Sequence, residues 1–202
     1  MDALDRLAPA EIARGGWAVT PQPAPLGVAE PAGEGLVCVA RLGPLKGVDR
    51  AIRLAAALNW PLRVVGDGAA RPSLEALAAE TGASVEFTGR LSRVDALQAY
   101  RGRAANLLLP RVDVDGSGAE GFGVVLLEGM GWGVPAVGCA TGGVPEAVGP
   151  GLLLSSPDDP VASAAALTAW LGDKGRGAEA WAWARDHHGR ARAARVALEA
   201  LG

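Results

Sequence analysis

Two glutamates, Glu120 and Glu128, stand with seven residues between them around a Gly121-Phe122-Gly123 turn. Carboxylates accept hydrogen bonds from hydroxyl groups, so such a pair suits a polyhydroxylated ligand such as a ribose or a hexose. A second glycine turn, Thr141-Gly142-Gly143, follows. Each turn comes after an apolar run and before a helical pattern, which sets backbone N–H groups at a helix start where anions bind. Far upstream, Arg41 and Lys46 bracket another glycine-containing loop. Of 19 basic residues only Lys46 and Lys174 are lysine, and a compact ammonium is chemically unlike the planar guanidinium used elsewhere. Cations plus N–H groups suit a diphosphate. A carboxylate beside phosphate would repel it, which leaves both glutamates for sugar hydroxyls. A nucleotide-sugar meets all three demands.

These residues need a scaffold that brings them to one edge. LVCVA from Leu36 is a short, continuously apolar run of the kind that suits a strand covered on both faces. Similar runs occupy 62–66, Val85 to Thr88, Ala105 to Leu109, Val134 to Cys139 and Gly151 to Ser155. Between them, helical spacing predicts helices over Val48 to Asn59, Ser73 to Glu80 with a stop at Gly82, Asp95 to Tyr100, and from about Phe122. Strand and helix alternate five or six times. That pattern predicts right-handed βαβ units and a doubly wound α/β fold with a parallel sheet. Ligands of open parallel sheets bind beyond the carboxyl ends of the strands. Here those ends supply Arg41 and Lys46, Asp67-Gly68, Gly89-Arg90-Leu91 and the Asp113-to-Glu120 loop.

The bulk numbers bound the rest. In 202 residues, half hydrophobic and a fifth charged, there is ample material for a core. A net charge of -3 argues against a general nucleic-acid binder. No apolar run reaches transmembrane length, and the charged start has no signal-peptide core, so the chain reads as cytoplasmic. Cys38 and Cys139 lie in apolar runs and read as small buried hydrophobes. Residues 1–35 read as a Pro/Gly-rich connector with a short helix over 1–16 and a strand fragment at Trp17 to Thr20. Residues 36–156 read as the binding domain, and 157–202 as C-terminal helices (160–171, 176–187, 190–201) opened by an Asp cap and Pro160. That tail carries Trp170, Trp181, Trp183, Arg176, Arg185, Arg190, Arg192 and Arg195. It could meet a membrane surface or a partner; the simpler reading is packing on the sheet with solvated arginines. Asp113 and Asp115 could draw Mg²⁺ or Mn²⁺, but turn-forming aspartates explain them as well. His187-His188 has no catalytic constellation around it. The dinucleotide glycine fingerprint and the Gly-Lys-Ser/Thr phosphate loop are both absent.

Arg41-Leu-Gly-Pro-Leu-Lys46-Gly47, Val65-Gly-Asp-Gly68, Phe87-Thr-Gly-Arg-Leu91, Glu120-Gly-Phe-Gly-Val-Val-Leu-Leu-Glu128, Gly131-Trp-Gly-Val-Pro135 and Gly142-Gly-Val-Pro-Glu146 occur in this order. Over about 36–172 the chain thereby resembles the C-terminal, donor-binding domain of retaining glycosyltransferases with the GT-B fold, group 1 or family 4 type. The resemblance implies a Rossmann-like domain and a UDP-, GDP- or ADP-sugar donor, with no other cofactor and no metal. It implies that Arg41 and Lys46 neutralise the donor diphosphate, that Glu120 binds the transferred hexose beside the reacting carbon, and that Glu128 binds the ribose. Backbone N–H groups of Gly121, Phe122, Gly123, Val124 and Val125 would hold phosphate, and Leu91 would lie against the base. Such enzymes bind the acceptor on another domain, whose motifs are not found here. The chain therefore reads as an excised half of a larger enzyme or as a donor-binding subunit completed by a partner chain, inactive or weak alone. In the excised case, apolar area near Trp181 or Trp183 is expected to be exposed. A non-catalytic nucleotide-binding or interaction module with the same fold is the alternative; a sugar-nucleotide epimerase of similar fold lacks this glutamate pair.

Overall fold

In a computed structural model of the chain, the described residues are 33–112 and 120–188. The connector elements at 1–16 and 17–20, Asp113, Asp115, the helix expected at 190–201 and Arg190, Arg192 and Arg195 lie outside them.

Six short strands form one sheet: β1 Leu36–Val39, β2 Leu62–Val65, β3 Val85–Gly89, β4 Ala105–Leu108, β5 Ala136–Cys139 and β6 Leu152–Leu154. Every pairing is parallel and the order is β3-β2-β1-β4-β5-β6. The chain runs outward from β1 to β3, then crosses back to start β4 on the other side of β1. That reversal is the switch point at which open α/β sheets leave a crevice.

Helices α1 Val48–Leu58, α2 Arg71–Thr81, α3 Arg93–Gln98, α4 Val124–Met130, α5 Val144–Val148, α6 Pro160–Leu171 and α7 Arg176–His188 cover both faces. Side chains alternate across each strand. Leu36, Cys38, Ala105, Leu107, Val137 and Cys139 therefore join Ile52, Leu54, Leu74, Leu77 and Leu167 in a core beneath α1, α2 and α6. On the opposite face Leu108 and Ala136 meet Leu126, Leu127, Met130, Val144, Val148 and Ala184 from α4, α5 and α7. Val37 and Val134 enclose Tyr100 on that same side, with Leu97 and Trp132 packed around them.

Several boundaries differ from the sequence reading. Ser92 Oγ accepts the Asp95 N–H at 3.2 Å and so starts α3 at Arg93. That helix stops at Gln98, which places Tyr100 in the turn beyond it rather than inside. α4 starts at Val124 after Gly123 as its cap, rather than at about Phe122. β5 pairs only from Ala136, because Pro135 has no N–H to donate. At the tail the reading holds: the Asp159 carboxylate accepts the Val161 and Ala162 N–H groups at 3.0 Å each, with Pro160 next.

Both tail helices pack back on the domain, α6 on α1 and β6 through Leu167, and α7 on α4 through Ala180, Ala184 and Trp183. The expected apolar exposure at Trp181 and Trp183 is not found. Both rings are half-buried, Trp183 against the α4–α5 layer and Trp181 beneath the Arg185 guanidinium at 5.1 Å. Arg176 pairs with Asp173 and Glu179, and Arg185 with Asp186. Both cysteines are free and buried, and burial pushes the Cys38 thiol up to about 12, which keeps it from forming the nucleophilic thiolate. Among the described residues no helix is long and apolar enough to cross a membrane.

Candidate functional site

The loop after β1 carries the cations. Its backbone is tied to β2 by Leu42 N–H to Asp67 O at 3.0 Å and to the end of β4 by Arg111 N–H to Leu45 O at 2.8 Å. Arg41 is left exposed and Lys46 half-buried. The loop before α4 lies across the switch point, and there the two elements meet: Lys46 Nζ donates to Glu120 Oε2 at 2.6 Å. The sequence reading assigned these side chains to different parts of one ligand, and the structure pairs them with each other.

The two glycine turns stack directly. Gly143 N–H donates to Glu120 O at 3.0 Å, and a Cβ on Gly142 would lie 2.0 Å from that same oxygen. With φ +56 at Gly142, only glycine sits there without strain. Glu120 is thereby located twice, by its backbone on the second turn and by its side chain on Lys46. Gly121, Phe122, Gly123, Val124 and Val125 run from this point into α4, whose first N–H groups have no partner within the helix. Being only two turns long, α4 has a weak dipole, so the cations at this edge are side chains: Lys46, engaged by Glu120, and the exposed Arg41.

Glu128 lies on α4 and is only 8% exposed. It is not a solvated helix residue. Oε1 accepts from Arg93 Nη1 at 3.0 Å and Oε2 from the Tyr100 hydroxyl at 3.2 Å. Burial, with the Glu128 charge beside it, drives the Tyr100 pKa well up, so the phenol stays protonated and donates. Leu91, half-buried, follows β3 just before the cap of α3.

Sequence reasoning missed Arg93 and Tyr100 as partners of Glu128, although Tyr100 is the chain's single tyrosine. It also missed Asn106, the one polar residue in the fourth apolar run. Asn106 is fully buried on β4, and its Nδ2 donates to Val125 O at 2.7 Å, tying the start of α4 to the sheet. At the far end of α7, the His188 ring lies 5.8 Å from that of Phe122, a proximity invisible in the sequence.

A cleft of about 490 Å³ opens beyond β4, β5 and β6, lined by Arg50, Arg111, Cys139, Thr141 and Asp158 among others. Arg41, Lys46, Glu120 and Glu128 do not line it. Its arginines are neutralised, Arg111 by Asp49 and Asp158, and Arg50 by Asp158, whose carboxyl the Arg50 hydrogen bond holds below the usual carboxylate range. At the switch point Arg41 is exposed and both acids are partnered, Glu120 by Lys46 and Glu128 by Arg93 and Tyr100. Among the described residues no group of three or more His, Cys, Asp or Glu is placed to hold a metal ion.

Comparison with known proteins agrees with this architecture. The family model described as glycosyl transferases group 1 matches residues 31–185. A GDP-mannose-dependent monoacylated alpha-(1-6)-phosphatidylinositol monomannoside mannosyltransferase of Corynebacterium glutamicum is 32% identical over 170 residues, covering 73% of this chain and 43% of that protein. A D-inositol 3-phosphate glycosyltransferase of a Mycobacterium species is 40% identical over 123 residues, 56% of this chain and 26% of that one. The chain thus spans less than half the length of these curated relatives. Among solved structures, AviGT4, a glycosyltransferase involved in avilamycin A biosynthesis, superposes with a TM-score of 0.76 at 22% identity, covering 96% of this chain and 60% of that one. Anabaena HepE, solved with UDP and glucose, gives 0.67 at 22% identity, covering 84% of this chain and 48% of its own. Sheet order, stacked glycine turns and family match converge: the chain belongs to the group 1 glycosyltransferases, as a domain of the C-terminal, GT-B type.

Proposed function

We propose that the crevice between β1 and β4 binds a nucleoside diphosphate sugar and serves as the donor half of a retaining hexosyltransferase. The observation that carries this reading is the Lys46–Glu120 contact at 2.6 Å across the switch point, which sets a phosphate-binding cation against a sugar-binding acid. In the proposed complex the diphosphate lies on Arg41, Lys46 and the N–H groups of Gly121 to Val125. The ribose lies at Glu128, the base against Leu91, and the hexose at Glu120. A GDP-sugar is the first candidate, because a relative matched over most of this chain is named for GDP-mannose.

Transfer breaks the bond between the anomeric carbon and the β-phosphate oxygen, with negative charge gathering on that oxygen and positive charge on the sugar ring. Fixed cations stabilise such a leaving group without reorganising, so Arg41 and Lys46 supply the positive charge that a metal provides elsewhere. The acceptor hydroxyl then bonds to the anomeric carbon on the face the nucleotide left, and its proton passes to the departing phosphate. That hydroxyl is proposed to come from an acceptor-binding domain or a partner chain facing the crevice. Alone, this polypeptide is expected to bind donor and to transfer weakly or not at all.

A thermal-shift panel with GDP, UDP and ADP tests the binding claim. At a hundredfold excess over Kd a ligand stabilises by about 2.7 kcal/mol, roughly 5–10 °C for a domain of this size, and one nucleotide of the three should do so. A folded chain shifted by none of them contradicts the proposal.

A further inference from the structure

We infer that Tyr100 is the positioning residue for the Glu128 carboxylate, fixing it in the orientation that reads the ribose; this rests on the ribose reading of Glu128 given above. Tyr100 is fully buried, its ring held by Val37 and Val134 with Leu97 and Trp132 around them. Its hydroxyl donates to Glu128 Oε2 at 3.2 Å inside the protein, whereas Arg93 reaches Oε1 at 3.0 Å from a side chain 71% exposed. The two donors are therefore unequal. An ion pair whose cation lies largely in solvent is readily exchanged; a bond from a packed phenol is not.

A glutamate carboxylate rotates about a broad terminal torsion, so an unheld Glu128 would have to be ordered at each binding event. Each carboxylate oxygen accepts twice. The Tyr100 bond consequently leaves capacity on Oε2 and the Arg93 bond leaves capacity on Oε1, enough for the two hydroxyls of a ribose diol. Orientation set in advance lowers the entropy lost on binding. Tyr100 acts on the nucleotide only through Glu128, and its signature is selective: it should affect ligands that carry the diol and no others.

The test titrates the chain, Tyr100→Phe and Arg93→Ala with GDP and with 2′,3′-dideoxy-GDP. The unaltered chain should favour GDP about tenfold, as expected for hydrogen bonds to a charged group. Tyr100→Phe keeps the ring and should erase most of that ratio by weakening GDP alone. Arg93→Ala, at a largely exposed side chain, should keep most of the ratio, because Tyr100 still holds the carboxylate. Retention of the full ratio in Tyr100→Phe, or its loss in Arg93→Ala, overturns the assignment, and the second criterion holds even if the phenylalanine variant fails to fold. Equal binding of both nucleotides by the unaltered chain would instead refute the ribose reading of Glu128, and the Tyr100 assignment with it.

Discussion

Lys46→Ala should weaken GDP binding by roughly ten- to a hundredfold while leaving guanosine binding unchanged. The magnitude follows from a charge-assisted hydrogen bond of about 1.5–3 kcal/mol. The selectivity follows from where Lys46 sits, against Glu120 across the switch point, in the place proposed for the diphosphate. Arg41→Ala should act in the same direction but less, since that side chain is exposed and screened. Glu120→Gln should act in the opposite direction on GDP. In the free protein the Lys46 ammonium is engaged by the carboxylate at 2.6 Å, and a diphosphate must compete for it. Removing the acid's charge frees the cation, so GDP should bind a few-fold tighter, with the exposed-pair range of about 0.2–1 kcal/mol as the guide. The same variant should lose whatever advantage a GDP-sugar has over GDP. Isothermal titration at fixed salt reads all three variants. Lys46→Ala binding GDP like the unaltered chain would remove the phosphate role.

Gly142→Ala should be a severely damaging single-methyl change at the site. The new Cβ would lie 2.0 Å from Glu120 O at a residue with φ +56, and neither the backbone oxygen nor the stacked turn can yield cheaply. A loss of roughly 2–4 kcal/mol, near the upper end for point substitutions, should appear as a melting temperature about 5–15 °C lower. Gly82→Ala is the control. It has φ +67 but no atom within 4 Å of a Cβ, so it should cost only the left-handed strain, about 1 kcal/mol. Nucleotide binding should survive Gly82→Ala and fall sharply in Gly142→Ala, because the latter displaces Glu120. Equal melting temperatures for the two would contradict the stacked-turn geometry.

What could be read in the sequence was local. Apolar runs located all six strands because the four central ones are largely buried and the edge strands β3 and β6 still carry short apolar runs, and Gly82 and Asp159 ended and started helices by backbone chemistry that needs no tertiary context. Helix boundaries near the site were less legible. Ser92 was overlooked as a cap because α3 is too short for its periodicity to outline it. Nothing local marks contacts between distant positions: Lys46 and Glu120 are 74 residues apart, and Tyr100 and Glu128 are 28 apart. The residue types predicted a cation and an acid at one sheet edge, but their mutual neutralisation depends on how two loops meet. Asn106 carried a readable signal, a lone amide in an apolar run, which hydrophobicity averaging concealed.

The most direct test is a crystal structure of this chain with GDP. The account predicts the diphosphate on Lys46 and Arg41, with Lys46 Nζ drawn from Glu120, and the ribose hydroxyls on a Glu128 still bonded to Tyr100. GDP bound in the cleft beside Arg50 and Arg111, with the Lys46–Glu120 pair undisturbed, would contradict it.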